Sequence, residues 1–313
     1  MVRTVSGHEV EALRYELLLK EIVATAEKLP PFPDIVWKVM PLIRNMAPVK
    51  EIEAVIKYDP AITARVLSLS QSPYFARNHS VNSLQEAIVI LGNQKLIQVI
   101  LTASASRYFD GGILKAGSGE RELWSHCVST AVTAEIIARY FGHKKALKIY
   151  LAALLHDIGK VVLNVYAKIY LGSTLNGLID VKSDFLDLER RTLGVDHQAI
   201  GKLIAKRWRF PTEVIIAIGH HHAPLEAPSD HDVACIVYAA NYLSSMLELG
   251  ENVNIDVFPP PEEDTVFQKL GIDEQLVHRF LTQSREVVTD VSQFLSSDSR
   301  PAASRASNAR GRR

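Results

Sequence analysis

Residues 154–160 read LLHDIGK, and this stretch decides how the chain folds. It ends an apolar helical run over 144–155 with His156 and Asp157 side by side, then breaks at Gly159. Neighbours on a straight helix point about 100° apart, so both side chains serve one site only where the helix ends or an ion sits between them. Histidines recur at separated stations on either side: His126 upstream, His197 downstream, then His220, His221 and His222 in a row. The spacing is one station per helix. A metal site inside a helical bundle needs this distribution, with inward-facing imidazoles and carboxylates supplied by several helices. Six of the eleven histidines lie at these stations, and the others (His8, His79, His143, His231, His278) read as surface or packing residues.

A lone histidine on an apolar helix is ordinarily a satisfied core residue; order, spacing and helical placement together argue for more here. Glu122 lies four residues before His126 and shares its face. Asp196 reads as the cap of the helix that His197 begins, and Gly201 one turn on admits a close helix. His221 and His222 are expected at the end of a helix over 211–222, before Pro224, with His220 turned off their face. Such a nitrogen and oxygen set suits a divalent transition metal, mononuclear or binuclear: Fe, Mn, Zn or Ni. Asp157 can bridge two ions, and a metal-bound water can become a nucleophile at neutral pH.

The surrounding pattern predicts an all-α protein, for the apolar periodicity is helical and no strand-like alternation is present. Helices are expected over 9–29, 33–45, 49–58, 60–70, 83–91 (ending at Gly92) and 93–109. A glycine-rich break at 110–120 then divides two helical halves. Further helices are expected over 121–141, 144–155, 184–193, 195–209, 211–222, 230–249 and 273–295, with loops at 72–81 and 251–264 and a loop ahead of 184. The organisation read from this is an N-terminal helical subdomain (9–110), a helical core (120–250), a C-terminal helix (265–295) and a disordered tail (296–313).

The 313 residues carry 35 Lys+Arg against 35 Asp+Glu, so the net charge is zero. That balance speaks against nucleic acid or an anionic membrane as the main partner. Cys127 and Cys235 sit in apolar helical patterns and read as core residues of a reducing compartment. The N-terminus lacks the apolar core of a signal peptide, and no apolar stretch reads as long enough to span a bilayer. A cytoplasmic location is therefore expected. The arginines of the tail, Arg300 to Arg313, are diluted by Ser and Ala and read as solvated.

LLHDIGK, with His126 upstream and His197, His221 and His222 downstream, resembles the HD superfamily of metal-dependent phosphohydrolases. The N-terminal segments LPPFPDIVWKVMPLI, IKYDPAITARVLSLSQSPYF and VNSLQEAIVILG narrow the resemblance to the HDOD family of bacterial signalling proteins. It covers roughly residues 21–249. The resemblance implies an all-helical two-part fold and a signalling output role exercised through a protein partner. By position His126, His156, Asp157, His197, His221 and His222 match ligands of the related HD-GYP phosphodiesterases, and Glu122 matches an extra carboxylate ligand in some of them. Two departures stand out. Asn241 replaces the late aspartate of the ligand set, and the GYP signature is absent from HHHAPLEAPSDHD. Lys160 matches a lysine that contacts substrate phosphate in HD enzymes. The leading expectation is a regulatory module with a retained metal site. The alternative is a metal-dependent phosphohydrolase acting on a phosphate-containing small molecule, with Asp157 orienting water and Lys160 holding phosphate. A di-iron redox or oxygen-binding site is the third.

Overall fold

The computed structural model describes residues 7–71, 81–109, 120–171, 185–249 and 261–297, and every regular element among them is helical. The N-terminal half comprises α1 (Gly7–Lys28), α2 (Asp34–Arg44), α3 (Val49–Ile56), α4 (Pro60–Ser70) and α5 (Leu84–Phe109). The second half comprises α6 (Glu120–Tyr140), α7 (Ala146–Leu155), α8 (Ile158–Leu171), α9 (Phe185–Leu193), α10 (His197–Arg207), α11 (Thr212–Gly219) and α12 (His231–Leu249). Two C-terminal helices follow, α13 (Thr265–Leu270) and α14 (Glu274–Ser297). The expected loop at 72–81, break at 110–120, loop at 251–264 and tail at 296–313 lie wholly or largely outside the described residues.

Prolines set several helix starts. Pro33, Pro48 and Pro211 precede α2, α3 and α11, where a missing N–H costs nothing. Asp59 accepts from the Ile62 amide at 3.0 Å and caps α4. Within α5, Gly92 takes φ 64° and ψ 173°, so two helices meet there at a kink. This element corrects the reading that no stretch is long enough to span a bilayer: its length and hydropathy suffice. Its apolar surface is instead core surface. Leu96, Val99, Leu101, Ala105 and Phe109 are buried, and the helix packs against α2, α3, α4 and α7.

Three helical expectations change. The loop expected ahead of 184 contains α8, whose buried Val161, Val162, Leu163 and Tyr166 make it a core helix. A short helix, α13, precedes the last one and is capped by Asp264, which accepts from Val266 and Phe267. The helix expected over 211–222 stops at Gly219, and His220 to His222 form the turn beyond it.

The segment 29–33 joins the two halves. Phe32 stacks on Tyr108 at 6.1 Å between centroids, meets Trp208 at 5.4 Å and packs edge-on against Phe210 at 5.1 Å. Polar groups orient this cluster. Trp208 Nε1 donates to the Pro30 carbonyl at 3.0 Å, Tyr108 Oη to the Pro31 carbonyl at 2.8 Å, and Arg207 to the Leu29 carbonyl at 2.9 Å. Prolines leave these carbonyls without helical partners, so side-chain donors satisfy them. Ahead of this segment, α1 crosses onto α8 and α10, where the Thr25 and Tyr166 hydroxyls lie 2.6 Å apart.

Candidate metal centre

The centre forms where three chain reversals converge. Helix α7 ends at Leu155, and the chain turns through His156 and Asp157 into α8. Helix α8 crosses α10 at two glycines. A Cβ on Gly159 would stand 2.0 Å from the His197 carbonyl oxygen and 2.9 Å from the Gly201 amide nitrogen. Only glycine at 159 permits that approach, which seats His197, the first residue of α10, beside Asp157. Asp196 caps α10 by accepting from the Ala199 amide at 2.8 Å, as its position predicts. The turn after α11 then brings in His221 and His222.

Hydrogen bonds fix the state of three imidazoles. His156 Nδ1 donates to the Ala153 carbonyl at 2.7 Å, and His221 Nδ1 to the Ile218 carbonyl at 2.8 Å. His197 Nδ1 donates to Glu189 Oε2 at 2.7 Å, and the same oxygen accepts the His197 amide at 2.8 Å. With Nδ1 protonated in each ring, Nε2 carries a bare lone pair in the neutral form. Those lone pairs converge. His197 Nε2 lies 3.1 Å from His221 Nε2 and 3.2 Å from His222 Nε2. Asp157 Oδ1 lies 3.3 Å from His197 Nε2 and 3.6 Å from His221 Nε2, and Oδ2 lies 3.4 Å from His156 Nε2. Neither His156 Nε2 nor Asp157 Oδ1 has a hydrogen-bond partner, although both residues are at most 1% exposed.

Ionisation follows burial and these neighbours. Burial, chiefly, pushes His221 down to about 3 and holds His156 and His222 below the ordinary histidine range. Burial works against ionisation of Asp157, but His156 and Lys160 outweigh it and hold the carboxyl well below its usual value. Lys160 Nζ donates to Asp157 Oδ2 at 2.7 Å; the buried carboxylate outweighs burial and raises the lysine pKa. Neutral imidazoles and an ionised carboxylate within 3.1–3.6 Å of one another repel unless a cation lies between them. Ligand atoms bound to one transition-metal ion at ~2.1 Å stand about 3.0–3.4 Å apart, so this donor set fits such an ion.

Potential ligand atoms fall into two groups, His197 with His221 and His222, and His126 with His156 and Asp157. The six residues expected from the histidine stations are thus drawn from four separate elements: α6, the α7–α8 turn, α10 and the turn after α11. Asn241 reaches the site, its Oδ1 2.8 Å from His126 Nε2. Glu122 is not brought in: it is exposed and lies in neither group, correcting its place in the expected ligand set. The carboxylate at His126 is Glu248 of α12, 3.1 Å from Nδ1. Burial lowers the His126 pKa, but Glu248 and Asp157 outweigh it and raise the value. His220 stays outside both groups, 3.4 Å from Lys202 Nζ. Glu189 was not singled out by its sequence, yet a signal exists: it shares the buried face of α9 with Leu193, four residues on, as the one acid there.

An all-helical bundle whose adjacent His156 and Asp157 meet histidines from other helices is of the HD type. Residues 29–224 match the family model of the HDOD domain, and the chain belongs to that family. An HDOD domain protein of unknown function from Geobacter sulfurreducens has a similar solved structure, with a TM-score of 0.72 at 24% identity over 90% of this chain and 98% of that one. A proposed phosphohydrolase from Shewanella amazonensis SB2B superposes with a TM-score of 0.63 at 19% identity, covering 88% of this chain and 97% of its own. At these identities the likeness is one of fold. An uncharacterized protein of Treponema pallidum (strain Nichols) is 26% identical over 219 residues, 68% of this chain; the match spans only 41% of that relative's length.

Proposed function

We propose that this chain is an HDOD regulatory module whose helical core holds a divalent transition metal around Asp157. The observation that carries the reading is the pinning of His156, His197 and His221 through Nδ1, which leaves three bare Nε2 atoms directed at one buried carboxylate. Imidazole donors with a carboxylate suit Fe, Zn or Ni, and Mn less well. When bound, the ion supplies the positive charge that these donors lack. The residues do the rest. Glu189 orients His197, Asp157 joins the two donor groups, and Lys160 offsets part of the carboxylate charge. The ligands come from the α7–α8 turn, from α10 and from the turn after α11, so occupancy couples these elements into one rigid unit. The cluster around Phe32 would pass that state to the N-terminal half, where a protein partner reads it.

A regulatory role is favoured over a catalytic one by burial. His156, Asp157, His197 and His221 are at most 1% exposed, and Asn241 stands where the family resemblance implies a further acid. The second reading, a phosphohydrolase, is favoured by Lys160, whose side chain is 15% exposed at the edge of the centre and adjoins Asp157. In that case the lysine would hold a phosphate oxygen. Metal content of the purified chain and of Asp157→Asn tests the proposal. Bound transition metal in the wild type and its loss in the variant are expected; a metal-free wild type after anaerobic reconstitution with Fe and Zn refutes it. Hydrolysis of bis(p-nitrophenyl) phosphate by the loaded wild type, absent in Asp157→Asn, would replace the regulatory reading with the catalytic one.

A further inference from the structure

We infer that the centre binds a single ion through His197, His221, His222 and Asp157 Oδ1, and that Lys160 stands where a second ion would sit. The inference rests on the metal-centre reading and assigns which half of the donor cluster takes the ion.

The two halves are not equivalent. On the His197 side the nitrogens lie 3.1 and 3.2 Å apart and Asp157 Oδ1 is 3.3 Å from the central one. These separations are those of ligands around one ion. The Oδ1 atom has no donor. Glu189 supplies negative charge through His197, and Gln198 Oε1 accepts the His222 amide at 3.0 Å, holding that turn in place. The donors on this side are arranged around the place of one cation.

The His126 side already contains its cation. Lys160 Nζ is 2.7 Å from Asp157 Oδ2, so the carboxylate oxygen facing this half is committed. His126 is committed as well. Its Nδ1 lies 3.1 Å from Glu248 and its Nε2 2.8 Å from Asn241 Oδ1, and Nε2 stands 4.0 Å from Asp157 Oδ2, wider than the 3.1–3.6 Å separations on the His197 side. Asn241 is neutral, so it contributes no charge to recruit a second ion. His156 Nε2 remains between the halves, with its ring 4.8 Å from His221 and 5.2 Å from His126. The group of His126, His156 and Asp157 could take an ion only by displacing the Lys160–Asp157 contact and the His126–Asn241 bond. Three imidazoles and one carboxylate oxygen favour zinc, ferrous iron or nickel over magnesium or manganese.

The test is metal per chain on the full-length protein, for the wild type, His222→Gln, His126→Gln and the double variant Lys160→Met with Asn241→Asp, each loaded with excess Zn²⁺ and dialysed. Expected results are about one ion in the wild type, at least a tenfold loss in His222→Gln, and retention in His126→Gln. The double variant removes the resident ammonium and restores an acid, so its content should rise to about two ions. A gain of metal in a double variant that keeps the wild-type helical circular dichroism is not a product of unfolding, so the test stands even if His222→Gln folds poorly. Two ions in the wild type, loss in His126→Gln with retention in His222→Gln, or a double variant unchanged at one ion would each overturn the inference and leave the metal-centre reading standing. No metal in any variant would remove both.

Discussion

The crossing of α8 and α10 can be tested by a single methyl group, Gly159→Ala. The added Cβ would lie 2.0 Å from the His197 carbonyl oxygen, 2.8 Å from its carbonyl carbon and 2.9 Å from Gly201 N. All three atoms are backbone, so no side chain can swing aside and the helices must part by about 1 Å or more. Overpacking a close-packed core costs roughly 1–3 kcal/mol, and the rigid obstacle puts this case near about 3 kcal/mol. In a chain of this size each kcal/mol lowers Tm by roughly 2–4 °C, so a fall of about 6–12 °C is expected by calorimetry on chelator-treated protein. The same displacement moves His197 away from Asp157, now 3.3 Å distant, so metal content should fall with it. Gly142→Ala is the control. Gly142 has φ +62° but nothing within 4 Å of an added Cβ, so it should cost only the ~1–2 kcal/mol of left-handed strain and keep its metal. A Gly159→Ala protein that melts within about 2 °C of the wild type and binds metal normally would refute the crossing argument.

Further outcomes follow from the same geometry. Glu189→Gln should weaken metal binding by about 10–100-fold in a chelator competition while leaving the helical circular dichroism intact; undiminished affinity would mean that Glu189 is only a packing group. Phe32→Ala should cost about 3–5 kcal/mol in urea denaturation, because Phe32 is 2% exposed among Tyr108, Trp208 and Phe210. A loss under about 1 kcal/mol would show that the 29–33 segment does not weld the halves. Metal-free protein should lose stability in acid. His221 is pushed down to about 3 when folded, against about 6.5 when unfolded, so the unfolded chain takes up the proton first. Stability is therefore full above about pH 6.5 and declines as pH falls toward about 3; equal urea midpoints at pH 7.5 and pH 5 would contradict this.

Much of the centre was legible because its ligands are rare residue types placed one per helix. His126, His156, Asp157, His197, His221 and His222 could be named from their order, spacing and helical placement, and Asn241 through the family resemblance. Glu122 shows the limit of that reading. Spacing of four shows that it shares a face with His126, but not that this face is solvent-bound at the helix start. The carboxylate that meets His126 is Glu248, 122 positions away, and no local pattern encodes that pairing. Helix α8 was missed for a related reason. Gly159 lowers helix propensity, so it reads as a break, whereas its purpose is to admit the His197 backbone. The helix after Pro211 was overextended because the apolar run TEVIIAIG gives no sign of where its last hydrogen bond falls.

The placement of the histidines at helix ends explains why the centre prefers a cation. His156 and His221 lie just beyond the C-termini of α7 and α11, and each donates Nδ1–H to a carbonyl three residues back. Those carbonyls belong to the last helical turns, where C=O groups lack intrahelical partners. One hydrogen bond thus helps cap each helix and sets the tautomer that bares Nε2. Both helices also turn their negative ends toward the site, which favours positive charge there. Helix α10 opposes this, for it presents its positive N-terminus through His197. The opposing end is neutralised by two acids: Glu189 accepts the His197 amide and Asp196 accepts the Ala199 amide. With that end offset, the remaining field comes from the C-termini of α7 and α11, the N-terminus of α8 that follows Asp157, and Asp157 itself. Lys160 donates to Oδ2 of that carboxylate while Oδ1 has no hydrogen-bond donor, so the demand for a cation lies at Oδ1.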